Sequence, residues 1–128
     1  MDANIKEYLE KKSKLLPVNK SISFTEAEKR AGEFLEAQAQ ITEWRHALSE
    51  GKIKALSIQT AVYAQEMSKG LAKTMTENKM TAEASKEYTE AREDLEGIEN
   101  DLSYLKSYYD IFRDAHIFYR QMSKGESI

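Results

Sequence analysis

The segment TAEASKEYTEAREDLEGIENDLSYLKSYYDIFRDAHIFYRQM, residues 81–122, decides the fold. It holds no proline and one glycine, Gly97. Its apolar side chains recur at alternating steps of four and three: Ala84, Tyr88, Ala91, Leu95, Ile98, Leu102, Leu105, Tyr109, Phe112, His116 and Tyr119. A strand repeats every two residues and cannot produce that series, whereas a helix lines it up as one seam. The spacing therefore predicts one long coiled-coil-like helix, with Asn78 and Thr81 as the break and N-cap before it. From Tyr104 a second stripe joins the first: Tyr104, Tyr108, Ile111, Ala115, Phe118 and Met122. Two apolar faces exceed what one partner helix can cover. Such a helix would extend about 63 Å, against roughly 36 Å across a compact domain of this size. The expectation is an all-α chain, a helical hairpin or bundle whose C-terminal helix assembles into an oligomer. The residues expected to carry the subunit contacts are Leu95, Ile98, Leu102, Leu105, Tyr109, Phe112, His116 and Tyr119.

Upstream, residues 3–16 read as a short helix with Ile5, Leu9 and Leu16 apolar, stopped by Pro17. The overlapping capping boxes Ser23-Phe-Thr-Glu26 and Thr25-Glu-Ala-Glu28 start a second helix. Its apolar positions are Ala27, Ala31, Phe34, Ala37, Ile41, Trp44 and Leu48, and Gly51 is the expected stop. A third helix is predicted over about 52–76, with Ile53, Leu56, Tyr63, Met67 and Leu71 on one side. This divides the chain into an N-terminal helix and linker, 1–22, and a helical domain for oligomerisation and nucleic-acid binding, 23–128.

Composition agrees. Ala, Glu, Lys, Leu and Arg make up 60 of the 128 residues, near the half that marks long-helix chains. One proline, five glycines and two valines leave too little for a strand-and-turn fold. Leu, Ile, Val and Phe number only 25, a thin supply for a deep core, and such chains commonly complete their burial by associating. The net charge of -3 is too small for plain disorder.

With no cysteine, disulfides, thiolate metal sites and cysteine nucleophiles are excluded. Two histidines, His46 and His116, cannot build a histidine-rich site. The acids Glu83, Glu87, Glu90, Glu93, Asp94, Glu96, Glu99 and Asp101 are dense enough to suggest a di-metal carboxylate bundle. They read more simply as a solvated helix face. No phosphate-binding glycine loop and no nucleophile–base set occurs, so neither enzyme activity nor a cofactor or metal is expected. The first residues, MDANIKEYLEKKSKLLP, have no apolar core of a signal peptide, and no window reads as membrane-spanning.

Charge is segregated. Residues 51–80 carry five basic and two acidic groups, whereas 81–103 carry two basic and eight acidic. The basic block nominates Lys52, Lys54, Lys69, Lys73 and Lys79 for phosphate contacts, with Lys69 and Lys73 one turn apart. The tyrosines and Trp44 read as core or interface, with base stacking as the alternative.

Three segments, residues 41–54, 86–95 and 102–115, resemble in their order the small phage recombination mediator proteins (UvsY type), which load a RecA-like recombinase onto single-stranded DNA. Ile41-Thr-Glu-Trp44-Arg followed by Gly51-Lys-Ile-Lys54 is similar to that family's aromatic-bearing helix leading into a basic one. Lys86-Glu-Tyr88-Thr-Glu-Ala91-Arg-Glu-Asp-Leu95 resembles the start of its long helix. Leu102-Ser-Tyr-Leu105-Lys-Ser-Tyr-Tyr-Asp-Ile-Phe-Arg113-Asp-Ala resembles its C-terminal stretch. The resemblance implies a non-enzymatic, homo-oligomeric single-stranded-DNA-binding protein of recombination and repair, acting in the cytoplasm of a phage-infected bacterium. It further implies partnership with a RecA-like recombinase and a single-strand-binding protein, and no membrane. DNA contacts carry over to Lys69 and Lys73, while Met67 stands where another basic residue belongs. The alternative is a coiled-coil adaptor or phage-encoded inhibitor acting through protein contacts alone.

Overall fold

The computed structural model describes residues 1–18, 21–69 and 74–125. Four helices account for nearly all of them: α1 (Ala3–Ser13), α2 (Phe24–Ser68), α3 (Met75–Ala84) and α4 (Lys86–Ser123). No strand occurs among the described residues, so the fold is all-α with a long C-terminal helix. The chain divides into two compact units, one of Met1–His46 with Ser103–Ile128 and one of Ala47–Leu102.

In the first unit α1, the N-terminal part of α2 and the C-terminal part of α4 pack as three helices. The Ser23 hydroxyl accepts from the Glu26 amide at 3.1 Å, the cap that the sequence predicts. Ala27, Ala31, Phe34, Ala37 and Ile41 then fall on one face of α2 and are buried. They meet Leu105, Phe112, Ala115 and Tyr119 of α4 and Leu9 of α1, all buried as well. Phe34 packs between the rings of Phe112 and Tyr119, at 5.2 and 6.0 Å. Each such ring contributes about 1.5–3 kcal/mol by leaving water. The Tyr119 hydroxyl donates to the Leu15 carbonyl at 2.6 Å, and His116 donates through Nδ1 to the Ala31 carbonyl at 2.8 Å. His116 is thus a structural hydrogen-bonding residue.

In the second unit the remainder of α2 runs antiparallel to the N-terminal part of α4, with Lys52 beside Glu99 and Gln59 beside Tyr88. Ala82, Ala91 and Leu95 are its buried residues, and Ile98 and Leu102 are half-buried. This core is small, and Ile53, Leu56, Ile58, Met75 and Met80 are all exposed.

Four expectations need correction. Gly51 does not end a helix: α2 continues through it for 45 residues in all. A helical glycine costs only about 1 kcal/mol, and Gly51 sits where α4 approaches, 3.9 Å from the Ile98 Cδ1 to an added Cβ. The third helix of 52–76 consequently does not exist as a separate element. Its expected inner side holds only in part: Tyr63 and Met67 are half-buried, but Ile53 and Leu56 are exposed, and Lys52, Ala55 and Gln59 are half-buried in their place. Leu71 lies outside the described residues.

The break before the long helix is at Ser85, not at Asn78 or Thr81, which lie inside α3. Ser85 adopts an extended conformation and its hydroxyl accepts from the Tyr88 amide at 3.1 Å, capping α4. Thr74 caps α3 in the same way through the Glu77 amide at 3.1 Å.

The seam on α4 is covered by its own chain. Leu105, Phe112 and Tyr119, assigned above to subunit contacts, are fully buried against α1 and α2, while Tyr109 and His116 are half-buried there. Leu95 is buried within the second unit, and Ile98 and Leu102 are half-buried there. On the second stripe after Tyr104, Ala115 is buried and Tyr108, Phe118 and Met122 are half-buried, and Leu16 and Pro17, in the segment after α1, share a groove with Ile111, Ala115 and Phe118. The first stripe is thus met by the chain's own helices, while Tyr104 and Ile111 of the second stay exposed.

Candidate nucleic-acid interface

The five nominated lysines do not converge. Lys52 is half-buried and faces Glu99, with 3.8 Å between charged atoms. Lys54, two residues on, points about 200° away around the helix and is exposed. Lys69 bonds Glu66 at 2.7 Å, which holds its ammonium above the usual lysine range. Lys73 lies outside the described residues. Lys79 is exposed on α3 and has no ion-pair partner among the described residues.

Among the described residues, Lys79 is the nominated lysine brought to other groups suited to nucleic acid. It lines a cavity of about 330 Å³ with Glu83 of α3, Gln59, Thr60 and Tyr63 of α2, and Tyr88 of α4. Tyr63 and Tyr88 are half-buried, their ring centres 5.6 Å apart and their planes inclined at 57°. Gln59 donates an amide N–H to the Tyr88 hydroxyl at 3.4 Å, which orients that ring. Two partly exposed tyrosine rings offer π-faces to a base, and a neighbouring ammonium can take its phosphate. Gln59, Thr60 and Glu83 add hydrogen-bonding groups at the rim.

Gln59 and Thr60 are not among the residues the sequence nominates, and it offers both tyrosines as core or interface, with base stacking as the alternative. The signal was present in the charge-free run 55–65, which joins Tyr63 to Gln59 and Thr60 at helical spacing. It became readable only once α2 was known to pass through Gly51 and reach α4.

Other chemistry is not assembled. Glu43 and His46 form a Glu-x-x-His pair, but both are exposed on α2. No group of three metal-ligating side chains gathers among the described residues. No described helix is long and apolar enough to cross a membrane. The chain matches no protein-family model, no curated protein and no solved structure.

Proposed function

We propose that this chain is a non-enzymatic single-stranded-DNA-binding protein of the recombination-mediator kind, working as a homo-oligomer that helps place a RecA-like recombinase on DNA. The observation that supports it is the cavity in the second unit, where Tyr63 and Tyr88 stand beside Lys79, which has no ion-pair partner among the described residues. Stacking on aromatic rings contributes about 1–3 kcal/mol per base and is available only where bases are unpaired. The resemblance of residues 41–54, 86–95 and 102–115 to the phage mediators points the same way. Self-association rests on the exposed apolar residues of the second unit, Ile53, Leu56 and Ile58 on α2.

The test is fluorescence anisotropy of a labelled single strand and its duplex across a salt series. Single-strand binding should weaken linearly in log–log form, by about 0.7 per phosphate bound, and the duplex should bind less. Flat, weak binding to both would overturn the reading.

A second reading has its own support. Lys52 and Lys69 are engaged by carboxylates of the same chain, and residues 81–103 present eight acids to two bases. An adaptor that meets a basic protein through that face is what remains if DNA binding fails.

A further inference from the structure

The first unit holds a cluster of cations that play no part in the tyrosine cavity. A second cavity, of about 380 Å³, lies between α1 and α2, walled by Tyr8 and Leu15. Four cations line it, Lys11, Lys12, Lys29 and Arg30, against two carboxylates, Glu26 and Glu33.

The carboxylates are already taken. Glu33 pairs with Lys12, whose ammonium also lies 5.4 Å from the centre of the Tyr8 ring. Glu26 accepts from Arg30 Nε at 3.1 Å. Arg30 Nη1 further donates to the Tyr119 hydroxyl at 3.3 Å, so a buried core residue fixes the guanidinium. Lys12 and Arg30 are thereby held with side chains only 12% and 22% exposed. Lys11 and Lys29 are left exposed on the rim without carboxylate partners among the described residues. Their charges reach Glu33 at longer range and, after Lys12, help hold its carboxyl below the usual range. Along the lining, cations outnumber carboxylates by two, and Glu36, just outside it, is the further acid near enough to act on Tyr8 and Lys12.

We propose that this cavity is a phosphate-binding site, in which Lys11 and Lys29 close on a phosphate group over the fixed Lys12 and Arg30. Paired cations of this kind position the rim without adding net charge, and the two unpaired lysines supply the attraction. Its size exceeds a bare phosphate and falls at the small end of organic-ligand sites. The phosphate can be that of a nucleic-acid strand or of a free phosphate compound. The site lies wholly in the first unit and stands or falls apart from the tyrosine cavity of the second.

The protein carries its own reporter. Tyr8 lines the cavity and meets Trp44, the single tryptophan, edge-on at 5.2 Å. Titration of the whole chain with inorganic pyrophosphate and with a short oligothymidylate, read by calorimetry and by Trp44 fluorescence, tests the proposal. At least one probe should release heat and shift Trp44 emission. The double substitution Lys11→Gln, Lys29→Gln should weaken that probe by about tenfold or more, while Lys6→Gln, Lys14→Gln, on α1 and its C-cap but outside the cavity, should not. A response to both probes assigns the site to strand phosphates, and a response to pyrophosphate alone assigns it to free phosphate compounds. Absence of heat and of any Trp44 change with both probes overturns the proposal. So does equal binding by the Lys11/Lys29 variant, whose unchanged helical circular dichroism shows that it folds. Loss of Tyr63 and Tyr88 should leave the Trp44 response intact.

Discussion

Phe34 of α2 lies against Phe112 of α4 with ring centres 5.2 Å apart and planes inclined at 50°, and both side chains are completely buried. That packing closes the first unit from within, and it changes what a substitution at Phe112 does. Truncation to Ala removes the ring and leaves a cavity beside Phe34 and Tyr108, at a cost of about 3–5 kcal/mol. Urea unfolding should show a large fall in the midpoint for Phe112→Ala. An oligomer that merely dissociates, with its helices intact, is the contrary result.

Gly51 supplies a second prediction. Its backbone is helical, and an added methyl group meets Ile98 Cδ1 at 3.9 Å, ordinary van der Waals contact. Gly51→Ala should therefore stabilise the chain, by up to about 1 kcal/mol, through helix propensity and a smaller unfolded-state entropy. Thermal unfolding measures it. A lower midpoint would restore Gly51 as a helix terminator.

How far the sequence could be read follows from these two sites. The seam from Tyr88 to Tyr119 is legible because a four–three repeat has one geometric solution, and the all-α fold follows from it. Which surface covers the seam is not legible, since Phe112 matches Phe34 of its own chain as well as it would match a copy. Gly51 reads as a stop because propensity is local, whereas packing against Ile98 is not. Ser85 gives no signal because Tyr88, not a glutamate, follows it three residues later, so no capping box announces it. The lysines are found by counting charge, but charge alone does not say that Lys52 meets Glu99 or that Lys69 meets Glu66.

Ser85 separates α3 from α4 by a single residue, and its hydroxyl satisfies the Tyr88 amide. Ser85→Ala should cost about 1 kcal/mol and Ser85→Asp should preserve stability, as expected of an N-cap. Amide exchange at Tyr88 and its neighbours should quicken in the alanine variant before global stability is affected. Protection unchanged from the parent would contradict the cap.

The Lys12–Glu33 pair makes stability depend on pH in a definite direction. The hydrogen bond from Lys12, then its charge, holds the Glu33 carboxyl below the ordinary 4.5. Burial pulls the Lys12 ammonium down, but the bond to Glu33 and nearby negative charge outweigh it and raise it. A carboxyl depressed on folding stabilises above its ordinary value, and that contribution is lost as pH falls through the depressed one. Glu33→Gln should therefore flatten the acid-side loss of stability below about pH 4.5. The pair is partly exposed, so the neutral-pH cost should stay under about 1 kcal/mol. An acid limb identical to the parent's rules out this role for Glu33.

The lysines of the basic block differ in what surrounds them, and DNA binding should sort them accordingly. Lys69 is neutralised by Glu66 at 2.7 Å and Lys52 faces Glu99, whereas Lys79 opens beside Tyr63 and Tyr88 without an acid partner within ion-pair distance among the described residues. Affinity for a single strand should therefore fall on Lys79→Gln and barely change on Lys69→Gln, the reverse of what the position of Lys69 on the basic block implies. Tyr88→Leu should weaken binding by about 1–3 kcal/mol, because it removes a stacking face. It should leave the salt slope unchanged, because it removes no charge. Lys79→Gln should instead make the slope shallower by about 0.7 for each phosphate the strand no longer has neutralised. Anisotropy across a salt series with the three variants distinguishes these outcomes. If Lys69→Gln changes both affinity and slope while Lys79→Gln changes neither, the strand follows the outer face of α2 and the tyrosine cavity plays no part in holding it.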